Sequence, residues 1–209
     1  MKQFEYYEFI AVLIPGVILL YGLSLVFKEV TLVFGQNISL GGFGLFFIIS
    51  FAVGHLLQAF GNIFESVYWR FNSGMPTDWI RSGKGSLFDE ATREELGKRI
   101  QQHFKLKDFN FDEVSCGEWN SIVRQIYIQV EKQEQNRRVD IFNSYYGLFR
   151  GMSVSFFILS ICILIKSVHL WPWVIFCLAL LAVSMFRMHR FSRYYAKELF
   201  LQFIQLKFV

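Results

Sequence analysis

The chain has 209 residues, of which 54% are hydrophobic and 18% charged, with 25 Phe and 3 Cys. That balance excludes a purely soluble enzyme, a disordered tail protein and a disulfide scaffold, and it points to lipid as the solvent. The formal charge of +4 comes largely from residues 187–209, where five Lys/Arg oppose one acid, Glu198.

The first uncharged run, Phe9 to Phe27, would make about 28 Å of helix, enough for a hydrocarbon core of about 30 Å. It predicts a first span over about 9–27. Glu5 and Glu8 flank it, and the basic n-region and cleavage site of a signal peptide are missing, so no cleavage is expected. Pro15-Gly16 in its middle predicts a kink, because Pro removes a backbone donor. Membrane helices tolerate this where a neighbour re-satisfies the freed carbonyl.

No charge occurs between Glu29 and Glu65. A second span is expected over about 45–64, after the turn-like Gly41-Gly42-Phe43-Gly44. It should overshoot the membrane through Trp69-Arg70-Phe71 and stop at Asn72-Ser73-Gly74. Residues 1–64 thus form a first transmembrane pair.

Residues 65–145 read as a small cytoplasmic helical domain. Asp89 with an acidic first turn predicts a helix running to about Phe104. A second helix is expected from near Cys116, with Trp119, Ile122, Val123, Ile126 and Val130 on one buried face. Its continuation past Val139, Phe142 and Tyr146 into the third span would couple the domain to a membrane helix. The polar stretch Glu131 to Arg138 is compatible with a solvated face, a coiled-coil surface or a break.

A second hairpin is expected over 146–186. Its third span, about 146–166, holds 15 uncharged residues between Arg150 and Lys166, whose long side chains must snorkel to the interfaces. The fourth, about 170–186, opens on Trp171-Pro172-Trp173, an aromatic interface belt. Residues 187–209 extend it as a basic, aromatic cytoplasmic helix, in which Arg187, Arg190, Arg193 and Lys197 are candidate lipid or partner contacts. That tail would either rest on anionic lipid or pack on the central domain. The expected fold class is therefore all-α, a polytopic membrane protein with four transmembrane helices and a small cytoplasmic helical domain between the second and third.

Placing residues 28–40 and 166–170 on one side of the membrane leaves 2 Lys/Arg there against 19 on the other. Lys and Arg accumulate on the cytoplasmic side. Both termini and the central segment are accordingly expected to be cytoplasmic, in a multi-pass protein of a cell inner membrane.

Motifs for catalysis or cofactors do not emerge, so no catalytic, cofactor or metal residue is expected. His55, His103, His169 and His189 are far apart, and Cys116, Cys162 and Cys177 form no CxxC pair. Gly83-Lys84-Gly85-Ser86 has the letters of a phosphate loop in the wrong order. From Glu65 to Arg150 there are 13 Lys/Arg and 13 Asp/Glu, so the basic footprint of a nucleic-acid binder is missing.

The second span carries the constellation that stands out. His55, Gln58, Asn62 and Glu65 follow one another at intervals of 3, 4 and 3 residues, which places them on one helix face. Polar groups in lipid normally face a bundle interior or a wet cavity. The stripe would line a pore or proton path with a titratable His55, or bond to neighbouring helices, for example at Ser153, Ser155 or Ser160. Glu65, near the interface, would meet water or pair with Arg150. Asn143, Ser144 and Arg150 form a candidate gate at the inner mouth, or an interface anchor. Gly147 and Gly151 have the GxxxG spacing that allows close helix approach and self-association.

Four spans do not enclose a wide water path unaided, so conduction calls for a homo-oligomer with the second span facing its axis. The leading expectation is a non-enzymatic, pore-forming or membrane-perturbing effector, controlled through its cytoplasmic domain by a soluble protein or small-molecule activator. In the order of its segments the chain resembles small bacterial multi-span membrane effectors associated with antiviral defence, which pair a few spans with a compact cytoplasmic sensing module. The resemblance is one of architecture and matches no motif residue by residue. Two alternatives are a scaffold that recruits a soluble partner and a lipid-modifying or transport protein, for which Glu65, Arg70, Asp78, Arg150 and Arg187 would have to converge.

Overall fold

The structure is a computed structural model and describes residues 7–30, 40–83, 87–106 and 108–206. Among them all regular secondary structure is helical. In chain order these are α1 (Glu8–Val26), α2 (Leu40–Phe71), α3 (Pro76–Ser82), α4 (Glu90–His103), α5 (Cys116–Lys132), α6 (Arg137–Lys166), a 3-10 turn (Val168–Leu170) and α7 (Trp171–Gln205). Four helices among the described residues, α1, α2, α6 and α7, are long and apolar enough to cross a membrane.

The sequence proves a good guide to most element ends. Proline and glycine act at both ends of the link after α2: Ser73 and Gly74 take positive φ angles of 62° and 90°, a conformation that terminates a helix, and Pro76 opens α3. At α5 the expected start near Cys116 is secured by a reciprocal cap. The Glu118 N–H donates to Ser115 Oγ at 3.3 Å, while the Ser115 N–H donates to the Glu118 carboxylate at 3.1 Å. The Ser115 hydroxyl and N–H hold that carboxylate below its ordinary pKa.

Two expectations are corrected. Gly41 to Gly44 do not form a turn but lie inside α2, which is already helical at Leu40; in an apolar run nothing competes with the helix for these backbone groups. And α5 does not continue into the third span. It ends at Lys132, the chain turns through Gln133 to Asn136 with Glu134 at φ 55°, and α6 begins at Arg137. The polar stretch is thus a break, and α6 then runs unbroken to Lys166.

The chain divides into two compact units, Met1–Val67 with Ser144–Arg190, and Tyr68–Asn143 with Phe191–Val209. The first unit is packed from α1, most of α2, and the greater parts of α6 and α7. Its core holds Leu19, Leu57, Val154, Phe156, Leu159, Ile163, Val174 and Cys177. Ser50, Ser153, Ser155, Ser160 and Ser184 are buried in it, whereas Leu25, Ile48, Ile63, Ile165 and Phe186 are exposed. An apolar core with serines buried in it, beneath a surface of large apolar side chains, is an arrangement suited to lipid.

Glycine sets the approach of α1 to α2. A Cβ on Gly16 would lie 1.9 Å from the Ser50 carbonyl oxygen, and one on Gly54 would lie 2.1 Å from that of Val12. No other residue fits at either position, so the two backbones are in direct contact. Gly147 and Gly151 serve the same purpose for α6 against α1: added Cβ atoms would meet Ala11 at 2.9 Å and Pro15 at 2.8 Å. The GxxxG pair, considered for self-association, is therefore occupied within the chain.

The second unit has a conventional apolar core, formed by Leu96, Ile100, Trp119, Ile126, Val130, Val139, Ala196, Leu199, Phe200, Phe203 and Leu206 among others. Trp119 is fully buried and its indole N–H donates to the Thr77 carbonyl at 3.0 Å. Of the two placements weighed for the C-terminal tail, the structure takes the packed one. Residues 191–206 put their apolar side chains into this core, with Phe200 stacked on Trp119 at 5.8 Å.

Candidate functional site

The candidate site grows from a backbone defect in α1. Pro15 has no N–H to give the Ala11 carbonyl four residues back. Just before it, Glu8–Leu13 is wound as a π-helix, the wider winding that accommodates such a defect. Gln58, reaching from α2, supplies the missing donor: its Nε2 bonds the Ala11 carbonyl oxygen and also the Gly147 carbonyl at 3.1 Å. One amide thus ties α1, α2 and α6 together. Ser155 of α6 adds a bond from its hydroxyl to the Pro15 carbonyl at 3.1 Å.

The other end of the same amide binds a cation. Arg150 of α6 donates to Gln58 Oε1 through its terminal nitrogen at 2.7 Å and its Nε at 3.3 Å. Its remaining terminal nitrogen pairs with the Glu65 carboxylate, and its guanidinium lies 5.7 Å from the centre of the Tyr146 ring. Both charged side chains are nearly buried, 13% and 15% exposed. Burying either charge alone would be costly, whereas paired and hydrogen-bonded they are tolerated. Gly61 makes room, since a Cβ there would sit 3.1 Å from Arg150 Cγ.

The expected stripe on α2 is consequently divided. Gln58 and Glu65, seven residues apart, face inward to Arg150; His55 and Asn62, also seven apart, are exposed. Successive residues turn by about 100°, so the two pairs diverge by about 60° although all four share a broad face. His55 meets Phe51 edge to face at 4.7 Å. The serines considered as partners for the stripe are engaged elsewhere: Ser153 and Ser160 donate to the Phe149 and Phe156 carbonyls one turn back, each at 2.8 Å.

Of the inner-mouth residues, Ser144 is buried, Asn143 is half-buried, and Arg150 is committed to Gln58 and Glu65. In the tail, the Arg187 guanidinium lies 5.2 Å from the centre of the Phe149 ring, while Arg190, Arg193 and Lys197 are exposed. Of the residues required to converge for a lipid-modifying or transport site, Glu65 and Arg150 satisfy each other, and the Asp78 carboxylate caps α3 by accepting from the Met75 N–H at 3.2 Å. Among the described residues no three His, Cys, Asp or Glu are grouped to hold a metal ion. Lys84, Gly85 and Ser86 lie outside the described residues.

The Ala11 carbonyl is the partner that side-chain reasoning misses. The signal for it was present: a proline in a span frees a carbonyl four residues earlier, and a nearby amide is the natural donor.

These features define the class, a multi-helix protein with four helices long and apolar enough to cross a membrane, whose first unit buries a polar cluster and exposes large apolar side chains. Comparison takes it no further: no protein family, curated protein or solved structure matches the chain.

Proposed function

We propose that the chain is a non-enzymatic, multi-pass protein of a cell inner membrane that assembles into homo-oligomers through the outward face of α2 and perturbs the bilayer, as a pore or a leak. The observation that carries this reading is the exposure of His55 and Asn62 on a face that also carries the exposed Phe51, Ala52, Ala59, Ile63 and Ser66. Polar side chains are costly against lipid and are retained where another surface or a water path meets them. The inward pair, Gln58 and Glu65, is already satisfied, which leaves the outward pair for neighbouring copies. In this reading the second unit receives the cue, from a soluble protein or a small molecule, and the architectural resemblance favours a role in antiviral defence.

The second unit also supports the proposed topology. Its core joins residues 68–143 to residues 191–206, so both must lie on one side of any membrane. A hairpin of two crossings between them meets that requirement. With the charge bias, this favours cytoplasmic termini; a reporter fused after Val209 should be active only in its cytoplasmic form, and periplasmic activity would overturn the orientation.

The functional test is membrane potential, followed with a voltage-sensitive dye on induction in bacteria, alone and with the genomic neighbours. Depolarisation is expected, reduced in His55→Ala and Asn62→Leu at unchanged abundance and insertion. Unchanged depolarisation in both variants would remove α2 as the conducting face. A second reading, a scaffold recruiting a soluble protein, is favoured by the exposed Arg193 and Lys197 on the second unit. It predicts a steady potential, together with partner capture that is lost on charge reversal at those two positions.

A further inference from the structure

A groove of about 770 Å³ runs along the first unit, lined by residues of α1, the end of α6 and the start of α7. Its walls are apolar, with Ile18, Leu25, Phe156, Leu159, Trp173 and Phe176 among them. Leu25, Trp173 and Phe176 are 72%, 61% and 54% exposed, so the groove opens outward on the surface read above as facing lipid. Gly22 keeps its floor clear, since a Cβ there would lie 2.7 Å from both Leu159 methyl carbons.

One end of the groove is charged. Lys166 and Ser167 line it there, at the end of the uncharged run that closes α6, where a long cationic side chain belongs at the headgroup level. The Lys166 ammonium lies 5.3 Å from the centre of the Phe27 ring, and none of the ion pairs among the described residues includes it. The chain after Phe27 continues as Lys28-Glu29, so the ionisable groups of this stretch, Lys28, Glu29 and Lys166, carry a net positive charge. An apolar slot of this size, within the usual range of about 300–1,000 Å³ for bound small molecules, joined to one cation at the interface, has the polarity of a single anionic lipid.

We propose that this groove binds one anionic phospholipid, its acyl chain along α1 and α7 and its phosphate on Lys166. One lysine near a membrane surface favours anionic over zwitterionic lipid by about fivefold. The site is independent of the oligomer surface on α2 and stands or falls separately from it.

The test is native mass spectrometry of the full chain in mild detergent, with equal amounts of dioleoyl phosphatidylglycerol and dioleoyl phosphatidylcholine. One retained lipid per chain is expected, with phosphatidylglycerol preferred by about fivefold. Lys166→Gln should bring the two lipids level while still retaining one; Lys166→Arg should keep the preference, which covers a Gln variant that fails to fold. Leu25→Trp, narrowing the groove from an exposed position, should lower retention of both lipids. Lys98→Gln, an exposed cation outside the groove, should change nothing. Equal retention by the parent chain, an undiminished preference in Lys166→Gln, full retention in Leu25→Trp, or the same loss in Lys98→Gln would each overturn the proposal.

Discussion

Replacing Gln58 by Leu would remove the donor to two backbone carbonyls and the acceptor for Arg150 in one step. Interhelical hydrogen bonds in membranes are individually modest, but stranded buried groups are not. A loss of about 2–4 kcal/mol is expected, measured by thermal or denaturant unfolding in detergent. Arg150→Leu should cost about 3–5 kcal/mol because it leaves Glu65 buried and unpaired, and combining it with Glu65→Leu should restore part of that stability. A double variant no better than the single would mean that the stranded Glu65 charge is not the source of the loss. The sequence shows the polar residues of this cluster and even the Glu65 to Arg150 pairing as one option. It does not show which of the four stripe residues turn inward, because that depends on where α1 and α6 lie around α2.

For the helices, the decisive positions are the glycines at the crossing of α1 and α2. Gly16→Leu or Gly54→Leu should prevent the first unit from closing, since even a Cβ would fall within 2.1 Å of a partner backbone atom. Gly41→Ala in the same α2 has open space around its Cβ and should instead stabilise the helix by about 0.5–1 kcal/mol. Melting curves of the three variants check both directions at once. The same glycines mark where sequence reading succeeds and fails. The stop at Asn72-Ser73-Gly74 was legible because polar, turn-forming residues end a helix by local chemistry. Gly41 to Gly44 misled because, within an apolar run, glycine serves helices as readily as turns. Likewise the break after Lys132 was one of three readings of a polar stretch, decided only by how Val130 and Val139 both reach the second core.

At the scale of the molecule, pH offers a probe of the second unit alone. Burial, and then the Asp140 carboxylate that accepts its hydroxyl at 2.9 Å, push Tyr127 well above the ordinary phenol range. A raised pKa means stability that is full below about pH 10 and lost as pH climbs towards the folded-state value. Tyr127→Phe should therefore flatten the alkaline loss of stability, followed by circular dichroism above pH 10, while giving up one hydrogen bond at neutral pH. An alkaline limb unchanged by the substitution would show that Tyr127 is not the group being titrated. What the sequence leaves open at this scale is whether residues 191–206 rest on lipid or on residues 68–143. The choice depends on tertiary packing, of Phe200 on Trp119 above all.

That partnership has a consequence for biosynthesis. The ribosome delivers residues 68–143 well before the helix that completes their core, and the whole of residues 144–190 emerges in between. The earlier stretch must wait, with the faces of Leu96, Ile100 and Trp119 uncovered, until residues 191–206 have been made and reach it. On the proposed topology, a hairpin inserted only halfway would strand that completing helix across the bilayer, so the second unit would mature only after both crossings are made.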